Sequence, residues 1–159
     1  MNTPRKLPIG VQSFEKLRRD GYLYIDKTSF LWQLVQVSSP YFLSRPRRFG
    51  KSLFLSTLAA YFLGQKELFK GLYLEEMEEE LAVQENRAAW QEYPVLYFDF
   101  NTGQYDTIES LISRIELFLS SLEKKYAILS VQGDLAQRLE EIIKQIYETT
   151  HKQVIILVD

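Results

Sequence analysis

The sequence RPRRFGKS, residues 45–52, is the most informative segment of this chain. It follows a short apolar segment at residues 41–43, which we predict as a buried strand. It precedes an apolar stretch predicted as a helix from Ser52 to about Leu63, which Gly64 ends. The phosphate-binding loop pattern G-x-x-x-x-G-K-[ST] is placed in the same way, between a strand and a helix.

The chemistry of such a loop needs particular residue types. Gly50, Lys51 and Ser52 match the pattern, and Arg45 occupies the place of its first glycine. Glycine lets backbone N–H groups approach phosphate oxygens, lysine supplies a compact positive charge, and a serine hydroxyl is a hard oxygen ligand for Mg²⁺. The N-terminus of the following helix favours anions at the same place. The alternative interpretation is an ordinary basic surface turn in which Gly50 starts a helix.

The apolar run at residues 154–158, followed by Asp159, is the second half of this pattern. An apolar strand that ends in aspartate is typical of a Walker B segment, whose carboxylate lies beside the Mg²⁺ held by the loop hydroxyl. The alternative is a carboxylate that caps the end of a strand. Taken together, the two segments predict a nucleotide and Mg²⁺ site with Ser52 and Asp159 as metal ligands. Because a buried strand is an unusual natural ending, we expect the chain to be a fragment.

The remaining segments alternate between strands and helices. Residues 95–100 form an apolar run typical of a strand covered on both faces. Two amphipathic helices follow, and their predicted capping boxes are Asp106 with Glu109 and Asp134 with Gln137. The alternation predicts an α/β class: a three-layer P-loop NTPase-like fold with a mostly parallel sheet, truncated after the Walker B strand. In that sheet we expect residues 154–158 to lie centrally beside residues 41–43.

The predicted domain organisation has two parts. Residues 1–37 form an N-terminal arm and helix, and residues 38–159 form a P-loop core that is incomplete at its C-terminus. Within the first part, residues 22–25 are predicted as a strand or extended arm. Asp26 or Thr28 is expected to cap the next helix; the alternative is that they line the base or ribose side of a nucleotide.

Three polar features have simpler interpretations. The acidic run at residues 75–80 is predicted to be the solvated face of a helix, because apolar residues recur within it at helical spacing. Asp99 is assigned to a turn and His151 to a solvated helix end.

Composition excludes several classes of protein. The chain has 159 residues, of which 46% are apolar and 25% charged. This length and apolar content are enough to form a hydrophobic core that needs no disulfide or metal to stabilise it. There is no Cys and only one His, so thiol catalysis and multi-histidine metal sites are excluded. A net charge of −2 gives no whole-chain argument for nucleic acid. With no signal peptide and no long apolar run, we expect a cytoplasmic protein with no membrane partner.

The chain resembles the bacterial predicted AAA-ATPase-like family. That family has an N-terminal P-loop domain that is usually followed by a restriction-endonuclease-like nuclease domain, and arginine also replaces the first loop glycine in it. The segments that carry the resemblance are Leu7-Pro8-Ile9-Gly10, Ser13-Phe14, Tyr24-Ile25-Asp26-Lys27-Thr28, Ser44 through Leu53, and Tyr93-Pro94-Val95.

The resemblance implies ATP with Mg²⁺ as the ligand and Asp159 as the Walker B aspartate. It also implies that the water-activating acidic residue and any nuclease domain lie beyond residue 159, so ATP hydrolysis is expected of the full-length protein. Nucleic acid would be contacted only through that further domain, and the incomplete sheet is expected to self-associate. The alternative function is a non-hydrolysing regulatory or scaffolding domain. The predicted nucleotide-binding residues are Arg45, Arg47, Arg48, Phe49, Gly50, Lys51, Ser52 and Leu53.

Overall fold

The computed structural model describes residues 6–37, 39–44, 46, 48–101, 103, 106–129 and 132–159. The chain divides into two compact units, Met1–Glu92 and Tyr93–Asp159, each described here by itself. The predicted division of the chain between residues 37 and 38 stays a prediction. Two residues of the predicted loop, Arg45 and Arg47, lie outside the described residues.

The N-terminal unit is helical. Aromatic and aliphatic side chains from several of its helices form one core, in which Phe14, Phe69 and Leu74 are fully buried. The elements in chain order are α1 Phe14–Arg19, α2 Thr28–Val35, α3 Lys51–Phe62, the 3₁₀ helix Lys66–Phe69 and α4 Tyr73–Gln84. The predicted helices after Thr28 and after Gly50 are therefore confirmed.

The segment at residues 41–43 is not a strand, and this prediction was wrong. Its backbone is irregular, and the side chain of Phe42 is 94% exposed. An isolated extended segment leaves its backbone N–H and C=O groups without ladder partners, so a strand needs a hydrogen-bonded neighbour. Among the described residues the sheet has two strands, neither of them here. Residues 22–25 are not assigned as a strand; Tyr22 makes an isolated parallel bridge with Lys6, and Tyr24 packs against Phe14 in the core.

The C-terminal unit contains the parallel sheet. Its elements are β1 Val95–Phe98, α5 Ile108–Lys125, α6 Leu135–Thr150 and β2 Ile155–Val158. The two strands pair in parallel, with Val95 opposite Ile155 and Phe98 opposite Val158. Parallel neighbours need a crossover connection, which the two helices supply. Both apolar runs predicted as strands are confirmed. The expected pairing of residues 154–158 with residues 41–43, which belong to the other unit, stays a prediction.

One face of this small sheet packs on the helix pair. Leu96 and Phe98 of β1 form a core with Leu119 of α5 and Ile142 of α6. Three of the four residues of β1 are buried, which agrees with the expectation that residues 95–100 are covered on both faces. On β2 the side chains of Ile156 and Val158 remain 46% and 59% exposed. The chain is thus of the α/β class, with a small parallel two-stranded sheet.

The two predicted capping boxes have different outcomes. Asp134 accepts a hydrogen bond from the Gln137 N–H, and Gln137 accepts one from the Asp134 N–H, as predicted. The box at Asp106 and Glu109 was wrong by one position, since Thr107 is the N-cap and pairs with Ser110. Threonine and aspartate are both preferred N-cap residues, and spacing alone does not separate the two registers. None of the helices in the described parts of the chain is long and apolar enough to cross a membrane.

Candidate functional site

Two of the described residues in the loop before α3 have a positive φ. Gly50 is the N-cap of α3 and is left-handed, with φ 77° and ψ 25°. A Cβ at this position would meet nothing within 4 Å, so the conformation rather than crowding requires glycine. Arg48 is also left-handed, with φ 67°, and both Arg48 and Phe49 are exposed.

The first turn of α3 presents the remaining loop residues. Lys51, Ser52 and Leu53 are half-buried, and the first intrahelical hydrogen bond runs from the Phe54 N–H to the Gly50 carbonyl at 2.9 Å. The N–H groups of this first turn have no carbonyl four residues earlier in the helix to pair with. They and the positive end of the helix dipole favour an anion at this end of α3.

The second half of the predicted site lies in the C-terminal unit. Asp159 directly follows β2, and β1 and the segment after it hold its backbone on both sides. The Asp159 N–H donates to the Phe98 carbonyl at 2.9 Å, and its carbonyl accepts from the Phe100 N–H at 3.1 Å. The hydroxyl of Tyr97 donates to Asp159 Oδ2 at 3.3 Å. Asp159 is therefore fixed at the carboxyl edge of the parallel pair through backbone and side chain.

The surroundings of Tyr97 keep its hydroxyl protonated. Burial, the charge of Asp159 and the hydrogen bond to it raise the pKa of Tyr97 well above its ordinary value, and the charge of Asp99 adds to this effect. A protonated phenol remains a hydrogen-bond donor to the carboxylate. Asp99 itself accepts a hydrogen bond from the Asn101 N–H at 2.8 Å, which confirms its turn role.

The donor groups fit the predicted metal. Mg²⁺ prefers hard oxygen ligands, and the Ser52 hydroxyl and the Asp159 carboxylate are both of this kind. Ser52 belongs to the N-terminal unit and Asp159 to the C-terminal unit, so their convergence on one ion stays a prediction. Within the described segments no group of three or more His, Cys, Asp or Glu side chains is placed to hold a metal ion by itself.

Asp26 and Thr28 have a structural role. Asp26 Oδ1 accepts from the N–H and the hydroxyl of Thr28 at 2.8 and 2.7 Å, at the start of α2. Asp26 Oδ2 accepts from the Tyr73 N–H at 2.8 Å, and Thr28 Oγ1 accepts from the Leu74 N–H at 3.1 Å. The N-cap residue of α2 is Lys27, and Asp26 accepts the first N–H of the helix from the position before it, whereas Thr28 is the first residue of α2 and does not cap it. Together the two side chains cap the N-terminus of α4. Burial raises the pKa of Asp26, but these hydrogen bonds outweigh it and hold the pKa below its ordinary value.

Sequence reasoning missed a buried charge in the acidic run. Glu78 is 1% exposed, so this part of the predicted solvated face was wrong. Its carboxylate accepts hydrogen bonds from the Tyr61 hydroxyl at 2.8 Å and the Trp90 N–H at 3.1 Å, and it pairs with Arg87 at 2.7 Å. The available signal was spacing: Glu78 lies four residues after Leu74, a core position on the same helix face.

His151 is the exposed C-cap of α6, as predicted.

Comparison with known proteins identifies the family. The chain belongs to the Predicted AAA-ATPase family, whose sequence pattern matches residues 8–159. It is 40% identical over 157 residues to an "Uncharacterized protein in vnfD 5'region" of Azotobacter chroococcum mcd 1. That alignment covers 98% of this chain and 28% of the relative, so the chain spans less than a third of the relative's length. No solved structure matches the chain significantly.

Proposed function

We propose that this chain is an ATP and Mg²⁺-binding module of a P-loop ATPase. The observation that carries the proposal is the left-handed Gly50 at the N-terminus of the twelve-residue helix α3, directly before Lys51 and Ser52. A glycine before the first turn lets backbone approach a phosphate closely, and the positive end of the α3 dipole favours an anion at this position. Membership of the Predicted AAA-ATPase family supports the same function.

Each residue of the loop has a role in this proposal. The first-turn N–H groups and Lys51 bind the β- and γ-phosphates, while Ser52 and Asp159 hold Mg²⁺. When bound, Mg²⁺ neutralises phosphate charge and polarises the phosphoryl oxygens. The residues that we assign to nucleotide binding are Arg45, Arg47, Arg48, Phe49, Gly50, Lys51, Ser52 and Leu53.

The proposal extends to the protein that contains this chain. We infer that the two-stranded sheet belongs to a larger parallel, three-layer P-loop sheet, and that nucleotide binding drives an effector domain outside these 159 residues. The relative that aligns here over only 28% of its length supports the presence of further domains. The exposed Ile156 and Val158 on β2 support contacts with further strands or a second copy.

A thermal unfolding titration tests nucleotide binding. ATP with Mg²⁺ at a hundredfold excess over its Kd stabilises the native state by about 2.7 kcal/mol, which raises the melting temperature by roughly 5–10 °C in a chain of this size. Lys51→Ala is expected to remove most of this shift. The matched control is Lys16→Ala, which changes an exposed lysine of α1 in the same unit. This variant should show the same ATP-induced rise in melting temperature as the wild type.

The outcomes separate the two candidate functions. No shift in the wild-type chain rejects nucleotide binding, and an equal shift in Lys51→Ala rejects the loop as its site. Binding without phosphate release from the full-length protein favours the non-hydrolysing regulatory domain. Phosphate release that Lys51→Ala abolishes favours the ATPase.

A further inference from the structure

The parallel pairing places Tyr97 and Asp159 on one face of the sheet. Tyr97 is opposite Leu157 in the register, and Asp159, the residue directly after β2, lies two positions beyond Leu157. Side chains two residues apart on a strand share a face, and an aromatic side chain can reach this diagonal neighbour. The ring of Tyr97 leans toward the carboxyl edge, where its hydroxyl lies 3.3 Å from Asp159 Oδ2.

The hydrogen bond fixes one oxygen of a carboxylate whose backbone is already fixed. The Asp159 N–H is bonded to Phe98 of β1 and its carbonyl to Phe100, two residues after that strand, so rotation of the side chain is the main freedom left to the residue. The hydrogen bond that the Tyr97 hydroxyl donates to Oδ2 selects one orientation of the Asp159 carboxylate. In the part of the chain that the structure describes, Oδ1 accepts no hydrogen bond and is available to a ligand.

We propose that Tyr97 is a positioning residue that holds the Asp159 carboxylate with Oδ1 presented to Mg²⁺. The inference rests on the proposed function, in which Asp159 is a metal ligand. Groups that hydrogen-bond to a metal ligand orient it, and their removal typically weakens metal affinity by 10- to 100-fold. The Tyr97 hydroxyl bonds to the proposed metal ligand, so we expect Tyr97 to affect metal binding rather than nucleotide binding as such.

The test compares ATP binding to the full chain with Mg²⁺ and with EDTA by calorimetry. The Kd in EDTA divided by the Kd with Mg²⁺ measures how much the metal strengthens ATP binding. Tyr97→Phe keeps the ring and removes only the hydroxyl; we expect this ratio to fall roughly tenfold, with the Kd in EDTA unchanged. Mn²⁺ in place of Mg²⁺, followed by electron paramagnetic resonance, should show the same loss of bound metal.

Two further variants complete the experiment. Tyr147→Phe makes the same change at an exposed position of α6 and should keep the wild-type ratio. Asp159→Asn should reduce the ratio at least as much as Tyr97→Phe. A purely structural role would lower the melting temperature of Tyr97→Phe and leave its ratio as in the wild type.

The possible failures are distinct. If the wild-type chain binds no ATP in either condition, the proposed function and this inference both fail. If Asp159→Asn lowers the ratio and Tyr97→Phe does not, only the role of Tyr97 is rejected. If neither variant changes the ratio although ATP binds, Asp159 is not a metal ligand and the inference is overturned while nucleotide binding stands.

Discussion

Glu78 Oε1 lies 2.7 Å from Arg87 Nη1, and the Glu78 side chain is only 2% exposed. The pair joins α4 to the segment that follows it. Tyr61 and Trp90 donate to the same carboxylate, so each of its oxygens is satisfied. A buried ion pair adds little net stability compared with an apolar pair, but removal of one partner leaves the other charge uncompensated.

Replacement of Glu78 should therefore destabilise the chain. Glu78→Gln keeps the size of the side chain and removes the charge that faces Arg87. Glu85 still pairs with Arg87 at 2.6 Å, so the cost comes from the weakened hydrogen bonds of the buried group, and we expect the free energy of unfolding to fall by about 2 kcal/mol. Urea unfolding followed by circular dichroism measures this change. Glu79→Gln is the matched control: its carboxylate is 48% exposed in a surface pair with Lys66, so its loss should cost less than about 1 kcal/mol. Equal effects of the two variants would contradict the buried position of Glu78.

Stability should also depend on pH through Glu78. Burial raises the pKa of Glu78, but the hydrogen bonds from Arg87, Tyr61 and Trp90 outweigh it and lower the pKa below its ordinary value. Below a pH of about 4.3, the ordinary pKa of glutamate, the unfolded state binds more protons than the folded state. The stabilisation is thus present above this pH and is lost as the pH falls through the folded pKa. In urea unfolding the difference between wild type and Glu78→Gln should narrow from pH 7 to pH 3, and a constant difference would reject the lowered pKa.

Asp26 and Thr28 form a joint cap at the N-terminus of α4, so loss of the Thr28 hydroxyl should lower the free energy of unfolding. Thr28→Val keeps the shape of a side chain that is 1% exposed but removes the hydroxyl that accepts from the Leu74 N–H. Since Leu74 is fully buried, its N–H group loses its partner without access to water, and we expect a loss of about 2 kcal/mol. Thermal unfolding measures it, with Thr149→Val on the exposed face of α6 as the control that should change stability by less than about 0.5 kcal/mol. Equal losses in the two variants would reject the joint cap.

Local patterns predicted the regular elements well. Periodicity located α5, α6 and both strands, because each is set by spacing of apolar residues along its own sequence. The failure at residues 41–43 has a different origin. Three apolar residues indicate burial, but a strand also needs a neighbouring strand. The sequence of the segment does not show whether such a neighbour exists.

The candidate site was predicted in part for the same reason. Gly50, Lys51 and Ser52 are recognisable because loop and helix start are consecutive in the sequence. The hydrogen bond that the Tyr73 N–H donates to Asp26 joins residues 47 positions apart in the sequence, and the bond that Tyr97 donates to Asp159 joins residues 62 positions apart. Such contacts depend on how helices and strands pack and pair, so they could not be predicted from the spacing of residues in the sequence.

The left-handed conformation of Gly50 gives the last prediction, and the chain supplies a control with the same geometry. Gly50 has φ +77° and Gly71 has φ +75°, and a Cβ at either position would meet nothing within 4 Å. Alanine in this region of φ costs about 1 kcal/mol through backbone strain alone, so Gly50→Ala and Gly71→Ala should lower the free energy of unfolding by similar amounts.

ATP binding should distinguish these two variants. At position 50 the strain relaxes through the loop and shifts the first-turn N–H groups of α3, so we expect Gly50→Ala to weaken ATP binding about tenfold, equivalent to about 1.4 kcal/mol. Gly71→Ala lies before α4, whose N-terminus Asp26 and Thr28 already cap, and should bind ATP as the wild type does. Calorimetric titration of both variants measures this difference. Equal ATP affinities in the two variants, at equal losses of stability, would show that the conformation of Gly50 serves folding alone and would remove the main support for a phosphate site at α3.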